Sequence, residues 1–200
     1  ITLSLFSDEC LSQAVNVNYQ YDNLNRIQTM AYSSGTTITY TYDAAGRLVS
    51  IYSSKHFATD DDAGVVIEQH LYEYNNTGIL QKMILIKNKR DTTLYFFEAD
   101  ERGNVAIEKN SRTSELYYYY YDTQNRLTDI VHSYSFQRKL FTEYQFEYNA
   151  AGQVVKMIAS EKEGAYFFTG RYHYEDGLRL NERCYSKEGR IMGSVGYLYK

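Results

Sequence analysis

One short phrase recurs six times along this chain, and a repeat of that kind sets the architecture before any single residue does. It reads aromatic, any residue, usually Tyr, then Asp or Asn, two more residues, Gly or Asn, one residue, and an aliphatic. The copies begin at Tyr19, Tyr40, Tyr72, Phe97, Tyr119 and Phe146. Their turn residues are Asp22 with Asn25, Asp43 with Gly46, Asn75 with Gly78, Asp100 with Gly103, Asp122 with Asn125, and Asn149 with Gly152.

The chemistry of the phrase is that of a hairpin. An Asp or Asn side chain at the first turn position accepts from the backbone two residues on. Gly or Asn three positions later tolerates the left-handed conformation. Together they predict a type I turn closed by a G1 bulge. In that register Tyr21 lies across from Ile27, Tyr42 from Leu48, Tyr74 from Leu80, Ala99 from Val105, Tyr121 from Leu127 and Tyr148 from Val154. Five of these six pairs set Tyr against an aliphatic, a combination that stabilises a sheet by roughly 0.2–1 kcal/mol per pair. A seventh, degenerate copy follows Tyr172 and Tyr174 with a tighter loop at Asp176-Gly177, and residues 186–190 form a further turn.

The Y-x-Y-D-x-x-G-R-L phrase resembles the YD repeat of RHS-type proteins, most closely at 40–48 and 119–127, the second with Asn125 in the Gly place. The other copies are looser: Ile79 replaces Arg after Gly78, and Phe97 replaces the first Tyr. The resemblance covers about residues 19–190. In size and repeat style the chain is also similar to small envelope lipoproteins of Gram-negative gut bacteria, a group of unknown function with a porin-like barrel. That likeness implies a cell-envelope or secreted location, associated with the outer membrane through an upstream lipid anchor rather than a transmembrane helix.

Alternating patterns between the turns predict about fourteen strands: 14–21, 26–32, 37–42, 47–53, 65–74, 79–86, 93–99, 104–109, 115–121, 126–133, 140–148, 153–159, 165–174 and 178–185, with a fifteenth at 190–199. Hairpin connections make neighbours antiparallel. An open sheet of this width curls, splits or closes, so the expectation is an all-β antiparallel meander, curled or closed into a large barrel. The repeat runs on without a linker, giving one YD-repeat β domain over 1–200 with residues 1–13 as lead-in. Alternation in 140–148 sets Leu140, Thr142, Tyr144, Phe146 and Tyr148 on one face, opposite Glu143 and Glu147. In 166–174 it sets Tyr166, Phe168, Tyr172 and Tyr174 on one face. Residues 117–121, all Tyr, and 83–86, all apolar, break the pattern, as strands covered twice or carrying a bulge.

Composition supports this reading and excludes others. Tyr 23 and Phe 9 beside Pro 0 favour strands and leave every backbone donor available for ladders. A net charge of −4, with Lys and Arg scattered singly, excludes a nucleic-acid binder. No run of about 18 apolar residues is present to form a membrane helix, and Ile1 to Phe6 is too short for a signal peptide. Several strands are shorter than the ~9–11 residues a membrane barrel uses, which favours a water-soluble barrel over a lipid-spanning one.

Local motifs for catalysis are lacking. His56, His70, His132 and His173 have no metal-ligand spacing, and His132 and His173 read as partly exposed strand residues. Asp60, Asp61 and Asp62 form a weak calcium candidate without the alternating loop pattern, better read as a solvated acidic loop. Glu143 and Glu147 lie about 13 Å apart along one face, too far for a glycosidase pair. Cys10 and Cys184 form one disulfide if the first and last strands meet, or remain two thiols. No cofactor is implied and the chain is read as a non-enzyme. Its expected role is a non-catalytic cell-envelope binding protein for an unknown glycan, peptide or envelope protein. Tyr95, Tyr117 and Tyr134, outside the repeat positions, are the ligand-contact candidates. The alternatives are a scaffold module of a larger envelope assembly and a small lipid-embedded barrel.

Overall fold

The computed structural model describes residues 17–56, 65–134 and 139–197. Fifteen strands follow one another in an antiparallel meander. They are β1 (Val17–Tyr21), β2 (Ile27–Tyr32), β3 (Thr36–Tyr42), β4 (Leu48–His56), β5 (Val65–Tyr74), β6 (Leu80–Lys87), β7 (Asp91–Ala99) and β8 (Val105–Asn110). The series continues with β9 (Leu116–Tyr121), β10 (Leu127–Ser133), β11 (Leu140–Tyr148), β12 (Val154–Ser160), β13 (Tyr166–Glu175), β14 (Leu178–Tyr185) and β15 (Ile191–Gly196). A single helical turn, α1 (Glu161–Gly164), connects β12 to β13. The fifteenth strand, expected at 190–199, is present. The described residues divide into two compact units, one ending at Leu116 and one beginning at Tyr117.

The expected all-β antiparallel meander is present. The hydrogen-bonded order begins at β1 and finishes at β15. Both are short, 5 and 6 residues, and short edge strands are one way a sheet limits edge-to-edge pairing.

Every repeat turn adopts the conformation its residues dictate. Asn25, Gly46, Gly78, Gly103, Asn125 and Gly152 all have positive φ, from 58° at Asn25 to 85° at Gly78 and Gly103. Tyr21 pairs with Ile27, Tyr42 with Leu48, Tyr74 with Leu80, Ala99 with Val105 and Tyr148 with Val154.

Just beyond each turn, the ladder shifts once more. Tyr42 faces Leu48, but Thr41 faces Ser50, so Val49 is an extra residue on the outgoing strand. Gln28, Gln81, Ala106 and Val155 are extra in the same way. One extra residue exchanges the faces of all that follow it. The third and fifth residues after the turn aliphatic therefore enter the packed face. After Leu80 these are Met83 and Leu85, and after Val154 they are Met157 and Ala159, all four buried. The same spacing buries Glu108 after Val105, and Ile130 and His132 after Leu127. This resolves the apolar run at 83–86: a bulge precedes it. In the first unit Met83, Leu85 and Phe97 form the core, with Tyr72, Leu80, Tyr95 and Val105 packed around it.

A different bulge corrects the faces of β11. Val131 pairs with Thr142 and Ile130 with Tyr144, leaving Glu143 extra. Tyr144, Phe146 and Tyr148 keep the half-buried face, but Leu140 is exposed and Glu143 is buried. Glu143 and Glu147 do not share a face. Tyr166, at the start of β13, is exposed, while Phe168, Tyr172 and Tyr174 are half-buried.

Candidate functional site: repeat staples and buried carboxylates

The most regular chemistry lies at the turns. In the second repeat Asp43 Oδ1 accepts the backbone N–H groups of Ala45 and Arg47, both at 2.9 Å. Its Oδ2 accepts Arg47 Nε at 2.7 Å and lies 2.7 Å from Nη2. Asp22 with Arg26 and Asp122 with Arg126 repeat the arrangement. The backbone N–H of the Arg, its guanidinium and the N–H two residues on hold all three carboxyl groups below the ordinary Asp range.

Each of these guanidinium groups also reaches the following repeat. Arg26 lies over the Tyr42 ring at 4.3 Å, Arg47 over Tyr74 at 4.8 Å and Arg126 over Tyr148 at 4.7 Å. These tyrosines, and Tyr174 of the degenerate copy, donate back across the repeat boundary. Tyr42 Oη donates to the Ile27 carbonyl at 3.0 Å, Tyr74 to Leu48 at 2.7 Å, Tyr148 to Leu127 at 2.6 Å and Tyr174 to Val154 at 2.9 Å. One repeat thus supplies Asp, Arg and a carbonyl, and the next supplies the ring and hydroxyl that cover them. The glycines belong to this contact: a Cβ on Gly46 would sit 3.3 Å from Arg26 Nη1, and one on Gly78 3.4 Å from Arg47 Nη1.

Three turns depart from the scheme; in one, the Asn149 amide donates to Gln153 Oε1 at 2.8 Å, with Gln153 in the Arg place. Asn75 keeps the turn through Thr77 and Ile79 but meets no guanidinium. Asp100 is bonded by the Asn104 side chain at 3.1 Å in the Arg place, and that bond leads the contacts holding its carboxyl low. Ala99 stands where the other repeats have Tyr.

Buried polar groups form two further clusters. In the second unit, His132 is 4% exposed and Glu143 6%, which corrects the expectation of a partly exposed His132. His132 Nδ1 lies 2.9 Å from Glu143 Oε1, and Tyr134 Oη donates to the same oxygen at 3.0 Å. With Glu143 ionised, this contact places a proton on Nδ1. The imidazole is sandwiched between Tyr117, at 4.2 Å, and Tyr134, at 4.0 Å. Nearby, the Tyr144 hydroxyl donates to the Glu161 carboxylate of α1. Burial and that carboxylate push the Tyr144 hydroxyl's pKa up.

In the first unit Glu68 Oε1 lies 2.6 Å from His70 Nε2, and Lys87 Nζ lies 3.3 Å from the other Glu68 oxygen. His70 and then Lys87 lower the Glu68 carboxyl against the opposing effect of its burial. His70 Nδ1 in turn meets Met83 Sδ at 3.3 Å. Tyr72 and Tyr95 line the same face near buried Glu108, and burial raises both hydroxyl pKa values. At the far end of the second unit Arg179 lies over Tyr172 at 4.7 Å and donates to Glu182 at 3.1 Å. Burial, with Glu182 beside it, pushes Tyr197 up to about 12.

Of the residues singled out in the sequence, Tyr117 and Tyr134 converge on His132, while Tyr95 lies in β7 opposite Met83. Cys184 lies in β14 between Gly170 and Gly193. Cys10 and Asp60 to Asp62 lie outside the described residues. The His132–Glu143 pair was missed because a bulge brings Glu143 inward. Its only trace in the sequence is the position of His132, five residues after Leu127, where the other repeats place core residues.

Residues 21–55 match the family model described as RHS Repeat. No curated protein matches the sequence. Among solved structures, the chain is similar to the crystal structure of TcdB2-TccC3-Cdc42, with 13% identity and a TM-score of 0.48 over 95% of this chain and 11% of that one. It is similar to the Tc holotoxin pore of Photorhabdus luminescens, with 14% identity and a TM-score of 0.40 over 88% of this chain and 11% of that one. A porin-like protein from Bacteroides uniformis matches with 13% identity and a TM-score of 0.40, over 86% of this chain and 58% of that one. The chain therefore spans only a small part of the toxin chains it matches. Residues 21–55 thus match an RHS repeat, and the later copies of the phrase close with the same turn hydrogen bonds.

Proposed function

We propose that the chain is a non-catalytic structural repeat module, a length of self-stapled β wall in a protein of the cell envelope or the extracellular space. The observation that carries this reading is the staple, in which each Arg and each Tyr ties one hairpin to the next. The polar groups best suited to chemistry already have internal partners. Glu143 holds His132 and Tyr134, Glu68 holds His70 and Lys87, and Glu161 holds Tyr144. Tyr117 and Tyr134 pack their rings on an imidazole, which favours a structural role over ligand contact. A lipid-embedded barrel is disfavoured because strands β11 to β14 carry Glu147, Lys156, Arg171 and Arg183 in one row, three of them exposed and Lys156 half-buried, where a lipid-facing band is apolar.

A wall must be rigid before anything binds it. Amide hydrogen exchange of the purified chain tests this. Slow exchange through β2 to β7 and β10 to β14 without added ligand is expected. Fast exchange that slows only after a glycan or peptide fraction is added overturns the structural reading in favour of a binding module. Protease treatment of intact source cells tests the location: cuts within 87–92 place the module outside, and cuts only after rupture place it inside.

A further inference from the structure

The register brings three cations into one row that the sequence keeps twelve or more residues apart. Glu147 pairs with Lys156, Lys156 with Arg171, Arg171 with Arg183, and Arg183 with Ser194. Lys156 is neutralised, its Nζ 2.6 Å from Glu147 Oε1. Arg171 and Arg183 are not: among the described residues neither guanidinium meets a carboxylate, and both are exposed. They stand directly opposite each other on adjacent strands, where Cα atoms are about 4.5–5.5 Å apart. Like charges in that position destabilise a sheet.

The surroundings suit an anion. Arg171 lies over the Tyr185 ring at 5.5 Å, which orients its guanidinium. Along the same face His173 pairs with Asn181, adding a polar pair one step further. Arg171, His173, Asn181, Arg183 and Tyr185 line an open surface cavity of 390 Å³ together with Tyr172. On this face Glu175 lies 3.6 Å from His173, and Glu147 is paired with Lys156.

We propose that Arg171 and Arg183 form a binding site for a tetrahedral oxyanion, a phosphate or sulfate ester, with His173 and Asn181 at its rim. Two forked guanidinium groups match the geometry of such an anion, and its negative charge offsets their repulsion. The site lies on the exposed face, away from the staples and buried carboxylates, so it is independent of the structural reading above.

The test is calorimetric titration of the purified chain with inorganic phosphate, glucose 6-phosphate and glucose 6-sulfate, at an ionic strength fixed with sodium chloride. Saturable binding is expected with at least one of them, and the tighter ester identifies the source of the anion. R171A and R183A each weaken it at least tenfold, while K82A, whose Lys pairs with Glu73 in the first unit, leaves it unchanged. R183E places a carboxylate opposite Arg171; it abolishes binding and raises the melting temperature in phosphate-free buffer, which shows that the variant folds. Heats no larger than chloride gives, or equal affinity in R171A and R183A, overturn the site.

Discussion

Two kinds of β-bulge shape this sheet, and they differ in what fixes them. The bulge beside each repeat turn sits next to an Asx residue and a left-handed Gly or Asn. Its consequence is apolar: it turns Met83, Leu85, Met157 and Ala159 inward. The bulge in β11 has no turn beside it. Its extra residue is Glu143, and its consequence is polar, since it delivers a carboxylate to a buried imidazole. Backbone chemistry holds the first kind in place, whereas tertiary partners hold the second. The first tolerates loss of any one side chain, and the second does not.

Removing Glu143 is therefore the most damaging single change. Glu143→Ala leaves His132 and the Tyr134 hydroxyl without their shared acceptor inside the sheet, at a cost of about 3 kcal/mol. Glu147→Ala, four residues along the same strand, removes only an exposed partner of Lys156 and changes stability by less than about 0.5 kcal/mol. Urea denaturation of both variants checks the contrast. Equal costs mean that Glu143 does not depend on its buried partners.

The turn bulges break more gently, and unequally. Gly46→Ala meets a positive φ and Arg26 Nη1 at 3.3 Å, so it costs about 2 kcal/mol. Gly152→Ala meets the same φ penalty but nothing within 4 Å, and costs about 1 kcal/mol. Gly152→Asn is milder still, because Asn25 and Asn125 already occupy that position with positive φ. If both alanine variants cost the same, the guanidinium simply moves aside and the staple is loose.

These contrasts explain what the sequence made legible. Turn types, strand positions and the Tyr–aliphatic pairs follow from local rules, since an Asx residue, a Gly and a hairpin register are all written within nine residues. The staples are partly written: Arg47 is visible, but its contact with Tyr74 needs the register of the next hairpin. The faces were misread wherever a ladder shift intervened. Leu140 keeps the alternation yet lies exposed, and Glu143 looks like a surface residue until Val131 is seen opposite Thr142. Arg171 and Arg183 meet only because β13 and β14 pair with that offset. Such placements depend on non-local pairing, which periodicity alone does not encode.

The staple can be weakened or extended one hydroxyl at a time. Tyr74→Phe keeps the ring under Arg47 but loses the bond to the Leu48 carbonyl, costing about 1 kcal/mol. Ala99→Tyr does the reverse. Ala99 is exposed and occupies the place of Tyr74 in its own repeat, so a tyrosine there gains about 0.5 kcal/mol by packing on Val105. Thermal melts of the two variants and their double mutant read both effects. Additive shifts are expected because the two positions belong to different turns.

The smallest effect separates charge from turn geometry. Asp22, Asp43 and Asp122 are held below their ordinary value of 3.8 in the folded chain. A carboxyl whose folded pKa is depressed contributes stability that is fully present above its unfolded pKa and lost as the pH falls through the folded one. Asn75 and Asn149 make the same backbone contacts with no titrating group, so the turn itself does not need the charge. Asp43→Asn should therefore keep the turn and lose the ion pair to Arg47. At about pH 7 the variant is slightly less stable than the parent, and the difference closes as acid is added below about pH 4. Melting temperatures measured from neutral to acid pH read this convergence. Parallel curves mean that Arg47 contributes only through the Tyr74 ring, which would leave the carboxylate turns and the Asn turns equivalent at every pH.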